Sequence, residues 1–111
     1  MPTVAKIMAQ KPYEGKEDAT IRKFKEHDAT LRKMGYTTEH PVIWMRGQKE
    51  GHVIEVAEWR SLQKVEEGQR DPELQDLWQE FDNLTTNTRL ADLPDAKERY
   101  TLLPALSGQA V

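Results

Sequence analysis

The chain has 111 residues, with sixteen Lys or Arg against nineteen Asp or Glu and a net charge of −3. That length allows one domain with one modest core, and the charge balance leaves no basic stripe, so nucleic acid is not an expected partner. There is no cysteine, which excludes a disulfide framework and a thiolate nucleophile and permits a reducing compartment. No run approaches eighteen apolar residues, and residues 4–8, which include Lys6, lack the long apolar core of a signal peptide. A soluble cytoplasmic protein with no membrane partner is therefore expected.

Residues 3–10 read as a first strand, closed by Lys11-Pro12-Tyr13-Glu14-Gly15. A charged helix is predicted over 16–34, because Ile21, Phe24, Leu31 and Met34 recur at helical spacing and Gly35 stands where a helix stops. Two apolar runs, 41–46 and 52–59, flank Gly47-Gln48-Lys49-Glu50-Gly51 and predict an antiparallel hairpin. Ser61 fits an N-cap for a short helix ending near Gly68. Asp71-Pro72-Glu73 then supplies a capping carboxylate, a proline at the first helical position and an acid near the positive helix end. Leu74, Leu77, Trp78, Phe81 and Leu84 form the apolar stripe of the helix that follows. The polar residues 85–88 read as its end, 91–96 as a short turn of helix, and 100–103 as a closing strand with Leu106 packed behind it. Residues 1–106 make a single domain, and 107–111 read as a flexible tail. Asn83-Leu84-Thr85 matches a glycosylation sequon, which without an export signal is a chance match.

The predicted order is β-α-β-β-α-β, the ferredoxin-like α+β pattern, in which two helices cover one face of a four-stranded sheet. The other face should then be polar. It is not: Ile43 and Met45 oppose Val42 and Trp44, and Ile54 and Val56 oppose Val53, Ala57 and Trp59. An uncovered apolar face marks an interface, and two-fold self-association is its commonest solution. A homodimer through the sheet faces is expected; the alternatives are a shifted register or a tail folded over the open face.

Glu58-Trp59-Arg60-Ser61, Asp71-Pro72-Glu73-Leu74 leading to Trp78, and Leu90-Ala91-Asp92-Leu93-Pro94 carry a resemblance. Over residues 3–106 the chain resembles the dimeric α+β-barrel proteins, and within them the antibiotic biosynthesis monooxygenase-like group. The resemblance implies a pocket between helices and sheet in each protomer. There a small aromatic or quinol-like substrate is oxidised by O₂ without metal or flavin. The superfamily also holds haem-degrading enzymes, isomerases, stress-responsive barrels and ligand-sensing domains, so a non-catalytic dimeric barrel that binds a small ligand or partner is the rival reading. Haem-degrading members pair a first-strand Asn and a strand-end Trp with a His on the following helix. Here residues 3–10 hold no Asn and residues 61–81 no His, which argues against haem degradation.

Oxidation of that kind needs a base, a hydrogen-bond donor and aromatic walls. His27, three after Phe24 and four before Leu31, borders the apolar stripe of the first helix; it reads as a pocket base or as a core histidine satisfied by Asp28 or a carbonyl. Glu55, an acid inside an apolar strand, reads as a catalytic carboxyl with a raised pKa or as an ion-pair partner of Arg46 across the hairpin. Trp44 and Trp59 are candidate walls and Arg46 a candidate anchor for an anionic substrate group. Phe24 and Trp78 either line the pocket or fill it. His40 and His52 flank the two hairpin strands, and no His-x-His or His-Glu-x-x-His spacing occurs, so no metal and no cofactor is expected. Nucleophile elbows, phosphate loops and dinucleotide fingerprints are also missing.

Overall fold

A computed structural model describes residues 2–97 and 100–106. The helix starts follow from capping chemistry. Ser61 Oγ accepts the Lys64 N–H at 3.1 Å, and Asp71 Oδ1 accepts the Glu73 N–H at 2.9 Å with Pro72 at the first helical position. In chain order the elements are β1 (Val4–Pro12), α1 (Glu17–Lys33), β2 (Ile43–Arg46), β3 (Val53–Trp59), α2 (Leu62–Gln69), α3 (Pro72–Phe81) and β4 (Thr85–Thr88). Two 3₁₀ turns, Leu90–Asp92 and Pro94–Lys97, come after them. The strands form one antiparallel sheet in the order β2-β3-β1-β4. This is an α+β fold with a four-stranded sheet and three helices, compatible with a ferredoxin-like arrangement.

The closing strand is not at 100–103. It is Thr85–Thr88, which the sequence reading took as the end of a helix. Thr-Thr-Asn-Thr shows no apolar alternation, yet an edge strand needs only one anchored face, and β-branched threonines suit extended backbone. Thr85 supplies that anchor: it is buried, and its hydroxyl donates to Gln10 Oε1 at 2.7 Å. Residues 100–103 form no strand. Just beyond them the chain reaches the free edge of β2, where Arg46 N–H donates to the Pro104 carbonyl at 2.9 Å and Leu106 N–H to the Trp44 carbonyl at 2.8 Å. Leu106 is buried, but among Phe24, Val53 and Phe81 on the helix side of the sheet, not behind a strand at 100–103.

Side-chain alternation along β1 and β3 sorts the core. Val53, Glu55, Ala57 and Trp59 face the helices. On the open face the register lines up two rows, Met45–Ile54–Ala9 and Ile43–Val56–Ile7. Leu93, Ala96 and Leu103 of the C-terminal segment cover the first row. Asp95 pins this segment by accepting the Gln48 and Lys49 N–H groups of the hairpin loop at 2.8 and 3.3 Å. The second row is left open, with Ile7 46% and Ile43 43% exposed. The apolar character of both faces thus has a partial answer within the chain itself.

Candidate functional site

The inward stripe of α1 carries Phe24, His27 and Leu31 onto the sheet, and the alternation of β3 turns Glu55 up beneath it. Three titratable side chains meet there, all buried: His27, Asp28 and Glu55. His27 Nδ1 stands 2.9 Å from Asp28 Oδ1 and 3.3 Å from Glu55 Oε2. Two tryptophans close the network. Trp44 Nε1 donates to Asp28 Oδ2 at 2.7 Å, and Trp78 Nε1 donates to His27 Nε2 at 2.8 Å.

An indole N–H can only donate. Trp78 therefore requires a lone pair on His27 Nε2, which puts the ring proton on Nδ1, facing the carboxylates. Two influences disagree over this ring. Burial pulls its pKa down, while the hydrogen bonds and charges of Asp28 and Glu55 push it up by more, to about 9, favouring the imidazolium. An imidazolium would set an N–H against the Trp78 N–H at 2.8 Å. We take the neutral Nδ1–H form, because the indole cannot reverse its role whereas Glu55 can supply a proton in place of the histidine. Burial, and next the hydrogen bond to Asp28, raise Glu55 to about 8, so near neutral pH it is a carboxylic acid that donates to Asp28. The accounting then closes. Asp28 is the single anion, and it accepts from His27, Trp44 and Glu55. Every buried polar group of the cluster has a partner, which is the condition for a polar network in a core.

The sequence-derived candidates are placed as follows. His27 and Glu55 come together, and Phe24, Trp44 and Trp78 surround them; the Phe24 and Phe81 rings pack on His27 at centroid distances of 6.5 and 5.8 Å. Arg46 joins neither. It pairs with Glu17 at the start of α1, so the suggested Arg46–Glu55 pair across the hairpin does not form. Trp59 is 1% exposed and packs on Tyr36, at 5.7 Å between ring centroids, and on Leu74. His40 is exposed beside the Pro41 carbonyl, and His52 is buried against Thr88 Oγ1 at 3.1 Å. Sequence reasoning undervalued Asp28, naming it only as a possible partner of His27. The signal was available: Asp28 stands four after Phe24 and three before Leu31, at helical spacing on the buried stripe of α1.

A metal ion fits the spacing of these three donors but not their second shell. A histidine bound to a metal through Nδ1 carries its proton on Nε2 and donates it to an acceptor. Here Nε2 meets a donor. Proton sharing, not metal ligation, is what the arrangement can do. The cluster reaches the surface through Asp28 and Trp44, which line a cleft of about 390 Å³ between α1 and the β2 side of the sheet, with Ala29, Val42, Lys25 and Arg32 around them. A larger groove across α1 and α3 is lined by Glu26, Glu73, Asp76 and Glu80 and does not include the cluster.

No family model matches the chain, and it matches no curated protein and no solved structure.

Proposed function

We propose that the chain is a cofactor-independent oxygenase of a small aromatic or quinol-like molecule, built on the dimeric α+β-barrel pattern of the antibiotic biosynthesis monooxygenase-like group. One observation carries the reading: the buried proton-sharing cluster opens onto a substrate-sized cleft through its anionic member, Asp28, beside an indole wall, Trp44. A phenol seated on Trp44 can pass its O–H proton to Asp28. Glu55 and His27 hold the neighbouring protons and, with Trp44, fix the carboxylate in place. The resulting phenolate is the electron-rich form that reacts with O₂. Lys25 and Arg32 at the rim favour its negative charge.

In an oxygen electrode, a hydroquinone panel should consume O₂ faster with protein than without, and Asp28→Asn should bring the rate down to the no-protein level. No difference between protein and buffer would overturn the oxygenase. The second reading, a non-catalytic barrel binding a small ligand or partner, would then stand. It has its own support: His27 and Phe24 are each 1% exposed and the space between helices and sheet is filled by side chains.

The dimer belongs to the same proposal. The open row Ile43–Val56–Ile7 offers a self-complementary apolar strip beside the segment that covers the first row. Sedimentation equilibrium should give twice the chain mass, falling to one chain in Ile7→Glu. A monomeric wild type would remove the barrel from the proposal.

A further inference from the structure

A second cleft, of about 360 Å³, opens on the other side of Trp78, between β1, β4 and α3. Its unusual feature is Lys6. Along β1, Lys6 points to the helix side with Met8 and Gln10, and it is opposite Ala57 in the register. A charged side chain in that row has to be accounted for. The Lys6 ammonium lies 4.9 Å from the Trp59 ring centroid and 4.8 Å from that of Trp78, over both indoles. It forms no ion pair or hydrogen bond among the described residues. Burial, the larger influence, lowers its pKa, and the charge of Glu55 opposes the change. Two ring faces stabilise the cation but leave three N–H donors without an acceptor.

The walls define what would supply that acceptor. Met8, Trp78 and Phe81 give a flat apolar side. At the β4 end, Gln10 Nε2 donates to Asn87 Oδ1 at 3.1 Å, and Thr85 donates to Gln10 Oε1, so the amide oxygens are engaged and the Asn87 amide nitrogen is left as a donor. Gln69 and the Asp82 carboxylate complete the lining, so a ligand carboxylate has one place to go, beside Lys6 and the Asn87 amide N–H and next to the aromatic surface. We infer that the cleft binds a small aromatic carboxylate, with the ring against Trp78 and Phe81 and the carboxylate on Lys6 Nζ. This site is separate from the Asp28 cleft and does not depend on an oxygenase reaction.

The test titrates the whole chain with 2-naphthoate and with 2-naphthamide, its neutral counterpart of the same shape. Neither has a phenol to oxidise, so the outcome is independent of the oxygen measurement. Indole N–H signals in ¹H–¹⁵N spectra give the site and the affinity. Naphthoate should shift the Trp78 and Trp59 indoles at submillimolar concentration, and naphthamide should bind about tenfold or more weakly, since one charge-assisted contact separates them. Lys6→Met, which keeps the length of the stem, should bring naphthoate down to the level of naphthamide and leave naphthamide unchanged. Equal binding of the two by the wild type, or shifts confined to residues outside the cleft, or no binding at millimolar naphthoate, would each overturn the assignment. The wild-type comparison decides alone if Lys6→Met fails to fold.

Discussion

Asp28→Ala should destabilise the fold by about 3–5 kcal/mol near neutral pH, the largest effect of any single substitution in the cluster. The reason is accounting and not proximity. Asp28 accepts from His27 Nδ1, Trp44 Nε1 and Glu55. Alanine leaves all three donors without their carboxylate partner and removes the one charge around which they are oriented. A domain of this size has on the order of 5–15 kcal/mol in hand, so the urea midpoint should fall by about a fifth or more. Asp28→Asn, which keeps one acceptor oxygen but turns an NH₂ toward the remaining donors, should still cost about 2 kcal/mol. A loss below about 1 kcal/mol for alanine would mean that the three donors find other partners and that Asp28 is not the hub.

The second large effect is a dependence of stability on pH. Burial and the Asp28 hydrogen bond hold Glu55 at about 8 in the folded chain, against 4.5 for an ordinary glutamate. The folded state thus holds a proton that the unfolded state releases. The stabilisation is complete below about pH 4.5 and fades as the pH rises through 8, by up to about 1.4 kcal/mol per unit, for a total of a few kcal/mol. Glu55→Gln mimics the protonated acid, keeping a donor for Asp28 while having nothing to titrate. It should match the wild type near pH 5 and exceed it by more than about 1 kcal/mol at pH 8.5. A wild type whose urea midpoint is flat from pH 5 to 8.5 would contradict a neutral Glu55. The slope remaining in Glu55→Gln reports on His27. With a folded value of about 9 above the ordinary 6.5, an imidazolium would add stability below pH 6.5 that fades up to 9. The neutral ring that Trp78 demands adds no such slope.

Much of the architecture was legible because it rests on local chemistry. Ser61, Asp71 and Pro72 mark helix starts by satisfying or sparing backbone N–H groups, and the apolar runs either side of Gly47–Gly51 mark a hairpin through alternation. The fourth strand was not legible. Thr85–Thr88 pairs with β1 through backbone bonds and one buried hydroxyl, neither of which leaves an apolar pattern in the sequence. The course of residues 90–106 over the open face and along the edge of β2 was equally hidden. Leu93, Leu103 and Leu106 form no sustained helix or strand pattern, because the first two cover the open face and Leu106 packs on the helix side.

The candidate site divides in the same way. His27 and Glu55 stood out as polar residues in apolar surroundings, and that anomaly proved to be one meeting point and not two. The roles of Asp28 and Lys6 needed the tertiary structure. Asp28 stands on the inward stripe, but nothing in the sequence shows that Trp44 and Glu55 converge on it, and Lys6 looks like an ordinary strand cation until two tryptophans, 19 residues apart in the sequence, are seen closing over it. Arg46 misled because its register partner is Val53 and Trp44 is the residue opposite Glu55, while α1 brings Glu17 to the guanidinium.

The decisive measurement is the ¹⁵N spectrum of the His27 ring near neutral pH, in the wild type and in Trp78→Phe. A neutral ring with its proton on Nδ1 and a bare Nε2, becoming more basic when the Trp78 N–H is removed, is the result expected of a cluster in which Asp28 carries the only charge. A proton on Nε2 in the wild type, or a ring indifferent to the loss of Trp78, would contradict that arrangement and with it the proposed route of a substrate proton to Asp28.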